Sequence, residues 1–486
     1  MSVDLTQTNI NPKDYQSLLE DLQGNILKEH GRDYSVHLFL KFRTDSAAAK
    51  KWIQSFAEGF VTSAKRQLEE SDRFQLSNYK ARLFANFFLS ASGYKALGFE
   101  LKGKRRKFPA WTFLVGMKGF QKGLHDPPVE EWEKGFQGDI DAFILLADSD
   151  RENLQEQAKT VMEDVSRIAW IVNTEVGSVL RNDNIQPDGK GQAIEHFGFR
   201  DGISQPLFLK QDIEQAKEED IDQWDSSAPL ELVLVKDPFG QNDDSYGSYC
   251  VYRKLEQDVR GFKEREQQLA QTLGLTGEDV ERAGALIVGR FRDGTAIALS
   301  PSEQGEAATL HNFNYAGDAE GTKCPFHAHI RKTNPRGDTG NTFESLEEQR
   351  YRRIVRRGIP YGGTSAAQLG LQSAISQVQH QLNPFNQEML QAKEDKVGLL
   401  FLCFQSDIFD QFMMIQKSWA NQTDFIKYET GLDAVIGQGD EQISNQSWPK
   451  EWGKEGNVPF HFSNFVTLKG GEFFFAPSIS FLKTMS

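Results

Sequence analysis

Cysteine is scarce in this chain of 486 residues: only Cys250, Cys324 and Cys403 occur, far apart and without a Cys-x-x-Cys pair. That spacing writes neither a disulfide framework nor a zinc knuckle, and reduced thiols in a cytosolic setting are the simplest account. Long apolar runs are missing too. No segment approaches roughly eighteen uninterrupted apolar residues, the length a spanning helix needs. Met1 to Lys13 lacks the charged-then-apolar order of a signal segment. A soluble, cytoplasmic protein with no membrane attachment is the expectation. Positive charge is in deficit: 55 Lys and Arg against 69 Asp and Glu leave a net charge of −14. The field of the whole molecule therefore repels nucleic acid and anionic membranes. Several reaction signatures are absent as well. There is no Gly-x-Ser-x-Gly, no Walker loop, no Gly-x-Gly-x-x-Gly after a strand and no His-Glu-x-x-His, so serine hydrolase, kinase and dehydrogenase readings fall away.

What is present describes a folded protein. Hydrophobic residues make up 38% and phenylalanine alone occurs 36 times, and the length suggests two domains. One grammar, strand then cap then helix, occurs three times. Val36 to Phe42 is a strand, Thr44, Asp45 and Ser46 supply cap chemistry, and Ala47 to Phe60 is helical. Ile140 to Ala147, Asp148-Ser149-Asp150 and a helix from Glu152 to Val172 repeat it, as do Gly398 to Phe404, Ser406-Asp407 and a helix to Trp419. These echoes predict an α+β fold of two ferredoxin-like domains, with helices packed on antiparallel sheets.

Between the echoes, Leu83 to Leu89 reads as a strand, Ser92 to Leu97 as a short helix and Pro187 to Gly191 as a loop. The basic run Lys102 to Lys107 reads as a solvated loop. Gln211 to Ser227, rich in Asp and Glu, reads as a solvated linker, which divides the chain into residues 1–210 and 228–486. Further on, Glu231 to Val235 and Ser248 to Tyr252 read as strands, and Asp258 to Leu273 and Gly277 to Gly289 as helices. Gly470-Gly471, between Phe465 to Leu468 and Glu472 to Phe475, is a hairpin signal.

Three stretches could carry chemistry. Lys323 to Arg336 packs His327, His329, Cys324 and four cations into fourteen residues and contains Asn334-Pro335. An extended backbone over Phe326 to Lys332 would put both imidazoles on one face, about 7 Å apart. Ordinary core or surface histidines, a divalent metal pair, and a single axial ligand for haem iron all remain open on spacing alone. In His196 to Pro206, Gly198 and Gly202 bracket Asp201, which allows a tight backbone that presents one carboxylate. In Arg350 to Gly362, five arginines fall within eight positions, and Gly358 and Pro360 end the helix directly after Arg356 and Arg357. A guanidinium placed there can reach a buried anion.

Together these stretches resemble the dye-decolourising peroxidase family. Gly198-Phe-Arg-Asp-Gly202 followed by Ile-Ser-Gln-Pro is similar to its Gly-x-x-Asp-Gly signature, His329-Ile-Arg-Lys332 to its proximal-histidine region, and Arg356-Arg-Gly-Ile-Pro360 to its distal-arginine segment. Gln23 to Leu27 and Gly470 to Pro477 also look familial, so the likeness covers nearly the whole chain, and it is strongest to the longer members. The resemblance implies haem b (iron protoporphyrin IX) held mainly by the second ferredoxin-like domain. His329 would be the iron ligand, Asp201 the proton shuttle over the distal face and Arg356 its charge-stabilising neighbour. Leu399 and Phe401 would wall the distal pocket, Arg331 would meet a propionate and Asp433 would orient His329. His327 and Arg357 are the competitors for the ligand and guanidinium positions.

The implied partners are hydrogen peroxide and aromatic reductants such as dyes or phenols, the chain being a monomer or homodimer. An ordinary aspartate, with a pKa near 3.9, stays a base in mild acid where an imidazole is protonated, so an acidic optimum is expected. The alternative function is a haem carrier or haem-handling protein without turnover.

Overall fold

The structure is a computed structural model that describes residues 3–77, 81–102, 108–185, 190–218, 223–305, 311–338, 344–363, 366–382, 396–439 and 445–485. The basic run at 103–107 and most of the loop expected at 187–191 lie outside the described residues.

Strands β1 (Tyr34–Phe42), β2 (Phe84–Ser90), β3 (Ala142–Asp148) and β4 (Ala169–Ser178) pair antiparallel in the order β2-β3-β1-β4. The second half repeats that order with β5 (Tyr246–Gln257), β6 (Ile359–Tyr361), β7 (Gly398–Gln405) and β8 (Val466–Ala476), arranged β8-β5-β7-β6. In both halves the fourth strand lies beside the first, then the third, then the second, which is the ferredoxin-like order. Helices fill the crossovers as the cap residues predicted. Asp45 accepts from Ala48 N at 3.0 Å to start α1 (Ser46–Gly59), and Asp150 accepts from Glu152 N and Asn153 N to start α2 (Arg151–Val165).

The two sets of strands meet edge to edge. Phe474 and Phe475 of β8 pair with Ser90 and Leu89 of β2, and Tyr361 of β6 pairs with Gly177 of β4. With β5 also paired to β7, eight strands close a ring. Its interior is aromatic. Phe39 stacks on Phe143 at 5.0 Å and meets Tyr252 edge-on at 4.7 Å, while Phe143 lies 5.5 Å from Phe474, so rings from both halves share one core. A buried ionic cluster sits among them. Lys254 Nζ donates to Glu133 at 2.7 and 2.8 Å and to Glu175 at 2.9 Å, with the lysine side chain 2% exposed.

Several local expectations yield to these long-range pairings. The helix expected through Val172 ends at Val165, because Ala169 to Ile171 pair with Phe42 to Leu40 of β1. Gly470-Gly471 is no turn: β8 runs straight through it with a register shift between Leu468 and Gly470, and a Cβ at Gly470 would lie 2.2 Å from the Phe136 ring. The acidic stretch expected as a linker contains a helix at Lys210–Glu218, with residues 219–222 outside the described ones. Leu230–Leu232 forms a 3-10 turn where a strand was expected. Among the described residues, no helix is long and apolar enough to cross a membrane.

Removing the ammonium from the ring interior leaves two carboxylates facing each other without compensation. Lys254→Met is expected to lower the unfolding free energy by roughly 3–5 kcal/mol, read from the urea midpoint. Adding Glu175→Gln is expected to recover part of that loss.

Candidate active site

The histidine stretch is helical where an extended backbone was expected. Pro325 leads into the short helix α3 (His329–Thr333), closed by Lys332 N donating to Ala328 O at 2.9 Å and Thr333 Oγ1 donating to His329 O at 2.7 Å. Asn334, preceding a proline, cannot continue the helix, and it leaves with an extended φ of −150°. The two imidazoles therefore part company. His327 is buried edge-on against Trp448 with ring centroids 4.3 Å apart, and burial pushes its pKa down to about 3, which keeps it neutral. His329 faces a cavity of about 280 Å³.

Asp433 fixes the orientation of that ring. His329 Nδ1 lies 3.1 and 3.2 Å from the two Asp433 oxygens, which makes Nδ1–H the donor and leaves Nε2 as a lone-pair donor toward the cavity. Asp433 is fully buried and also accepts from Val435 N and Ile436 N, each at 2.8 Å. Burial alone would raise its pKa, but the imidazole and these two N–H groups outweigh that, and the carboxyl is held below the ordinary 3.8.

The carboxylate and guanidinium predicted from the other two stretches line the same cavity. Gly202 has φ of 78°, a conformation that suits glycine, and its N–H donates to Asp201 Oδ1 at 2.6 Å. The loop from Asp201 to Gln205 also grips the arginine. Arg356 donates from its guanidinium to Ile203 O at 2.6 Å and from its backbone N–H to Gln205 Oε1 at 3.1 Å. Arg357 turns away from the cavity and donates to Asn25 O at 2.8 Å. Alternation along β7 sends Leu399 and Phe401 to the cavity and buries Leu400 and Leu402 on the other face.

Arg331 departs from expectation. It is fully buried between the Tyr315 and Phe326 rings and donates to Asp318 at 2.8 Å, to Asp338 at 2.6 Å and to Cys324 O, and it does not line the cavity. Its charge is consumed by two carboxylates, so a propionate has no place there. Arg336 lines the cavity in its stead. It donates only to neutral acceptors, His311 O, Phe313 O and Ser204 Oγ, and has no carboxylate partner among the described residues. Burial lowers its pKa to about 9, so it stays a cation at neutral pH.

Arg336 closes the fourteen-residue histidine stretch and its charge was visible in the sequence, but nothing local distinguished it from Arg331. Arg290, which follows the Glu281–Val288 helix, and Gln257, Phe412 and Ile436 also line the cavity without any sequence signal. The lining is thus apolar over wide areas, carries several arginines, Arg290, Arg336 and Arg356 among them, and presents one oriented imidazole. That donor set fits a flat, largely apolar metal complex with anionic side groups.

The low pKa of Asp433 gives a pH dependence with a definite sign. Its contribution to stability is complete above the ordinary value of 3.8 and is lost as pH falls through the lower folded value. Asp433→Asn is expected to lower stability at neutral pH by roughly 1–3 kcal/mol. The same substitution should flatten the loss of stability below about pH 4, followed by thermal unfolding across pH.

No family model matches the sequence. The chain is 39% identical over 480 residues, 96% of each protein, to the multifunctional dye peroxidase DyP2 of Amycolatopsis sp.. It is 28% identical over 492 residues to a dye-decolorizing peroxidase of Mycetinis scorodonius, covering 96% of this chain and 87% of that one. Among solved structures, a DyP-type peroxidase of Anabaena sp. superposes with a TM-score of 0.87 at 44% identity, covering 99% of both chains. Shared by fold, length and sequence, these likenesses establish that the chain belongs to the dye-decolourising (DyP-type) peroxidases, haem enzymes that use hydrogen peroxide to oxidise dyes and other reducing substrates.

Proposed function

We propose that the cofactor is haem b, that His329 Nε2 would hold its iron, and that Asp201 and Arg356 would act on the peroxide it binds. The observation that carries this reading is the meeting of an oriented imidazole, a carboxylate and a guanidinium around one cavity whose lining is mainly apolar. When bound, haem supplies the iron at which the peroxide O–O bond is cleaved.

The chain's own residues do the proton work. Asp201 takes the proton from the inner oxygen of hydrogen peroxide and returns it to the outer oxygen, which leaves as water. Arg356 offsets the negative charge that develops while the O–O bond lengthens, and its bond to Ile203 O keeps the guanidinium beside the Asp201 loop. Asp433 holds the His329 proton on Nδ1, so Nε2 remains available to metal. Arg336 would meet a propionate, and Leu399 and Phe401 would keep water from the part of the cavity they line. Two electrons from an aromatic reductant complete each turnover. A carboxylate shuttle keeps its working form in acid where an imidazole would be protonated, which favours an acidic optimum.

His329→Ala is expected to abolish the Soret band of haemin-loaded protein, while His327→Ala retains it; the reverse would reassign the ligand. Asp433→Asn should weaken haemin binding by about 10–100-fold, measured by Soret titration. Asp201→Asn and Arg356→Leu should bind haem normally and slow the stopped-flow reaction with peroxide by roughly a hundredfold or more. Full-rate reaction in both variants, or an optimum above neutral pH, would overturn the assigned roles.

A further inference from the structure

Asp201 sits on a six-residue turn whose other arm carries a second acid. Ile194 and Arg200 bridge antiparallel, Glu195 N donates to Phe199 O at 3.0 Å and Asp201 N to Ala193 O at 3.1 Å. In that register Asp201 lies opposite Ala193 and Glu195 opposite Phe199. All four side chains therefore share a face, and Glu195 and Asp201 are diagonal neighbours with backbones about 7–8 Å apart. Both acids line the cavity.

Glu195 is tied down far more tightly than Asp201. Its carboxylate accepts from Phe197 N at 2.8 Å, Phe199 N at 2.9 Å and Gln257 Nε2 at 2.6 Å. The first two bonds close the turn on itself, with Gly198 at φ of 95° making the bend. The third ties the turn to the end of β5. Two further contacts surround it: Phe197 stacks on Phe262 at 4.0 Å, and His196 Nε2 donates to Tyr361 O of β6 at 2.8 Å. Every partner of the Glu195 carboxylate is an N–H donor, so the geometry suits the charged acceptor. Burial, reinforced by the nearby Asp201 charge, raises the proton affinity of this carboxyl above its ordinary value, and the three donors offset only part of that rise. Asp201, in contrast, is held through its backbone and by its own following N–H.

We propose that Glu195 is a positioning residue for Asp201: it pins the turn from inside and to β5, so the Asp201 carboxylate projects into the cavity at a fixed place. The inference rests on Asp201 being the group that accepts a proton from an incoming ligand.

Cyanide tests it without turnover, because hydrogen cyanide must surrender its proton as it binds the haem-loaded protein. Asp201→Asn is expected to slow cyanide association. Glu195→Ala should slow it by at least about tenfold, with Glu195→Gln, which keeps an acceptor oxygen and the shape of the side chain, falling between Glu195→Ala and the parent. The Soret titration of haemin should be unchanged in all of them. The deciding comparison is the Glu195→Ala, Asp201→Asn double variant, which should bind cyanide no more slowly than Asp201→Asn alone. If Glu195→Ala slows binding by the same factor in both backgrounds, or leaves the parent rate intact, the positioning role is overturned. Should Glu195→Ala fail to fold, Glu195→Gln carries the same comparison. A parent rate in Asp201→Asn would instead overturn the reading of Asp201, and the proposal with it.

Discussion

Edge-to-edge pairing between the two halves is the constraint on which the site depends. Each ferredoxin-like set would by itself expose two sheet edges, and joining β8 to β2 and β4 to β6 satisfies those backbone groups inside one ring. The join between β4 and β6 is short, a single pair between Gly177 and Tyr361, and a Cβ at Gly177 would lie 2.5 Å from Ile359 and 2.8 Å from the Ser35 hydroxyl. β6 begins three residues after Arg356, and Tyr361 O accepts from His196 on the turn that carries Asp201. Closing the ring therefore locates the carboxylate and guanidinium together.

Strand alternation then divides two environments across one sheet. Along β5, Arg253, Leu255 and Gln257 face the cavity while Lys254 is buried between Glu133 and Glu175. A slip of one residue would pull Lys254 away from Glu133 and Glu175 and Arg253 away from Asp126, breaking two buried ion pairs at once. The ion pair of Lys254 thus supports the register that sets the cavity wall, although it takes no part in the chemistry proposed there.

Much of this was legible in the sequence, for identifiable reasons. The cap residues Asp45 and Asp150 and the apolar strands before them marked α1 and α2, because capping and β-propensity act within a few residues. Asp201, Arg356, Leu399, Phe401 and His329 were found through motifs and meet at one cavity. What failed was anything decided by distant partners. Gly470-Gly471 looks like a turn until Phe136 is seen to fill the space a side chain would need. Arg331 and Arg336 are equivalent in the sequence. They differ because Asp318 and Asp338 converge on one and leave the other with neutral acceptors.

That difference bears on how the protein is stabilised. An arginine neutralised by two aspartates is satisfied whether or not a ligand is bound, and Arg331 accordingly anchors the loops around α3. Arg336 and Arg356 are hydrogen-bonded only to neutral oxygens among the described residues, so their charge is solvated incompletely by the protein itself. In a chain with a net charge of −14, carboxylates were available to pair them. Leaving both on an apolar wall costs stability in the ligand-free protein and returns it when an anion binds, so occupancy of the cavity and stability of the surrounding fold are linked quantities.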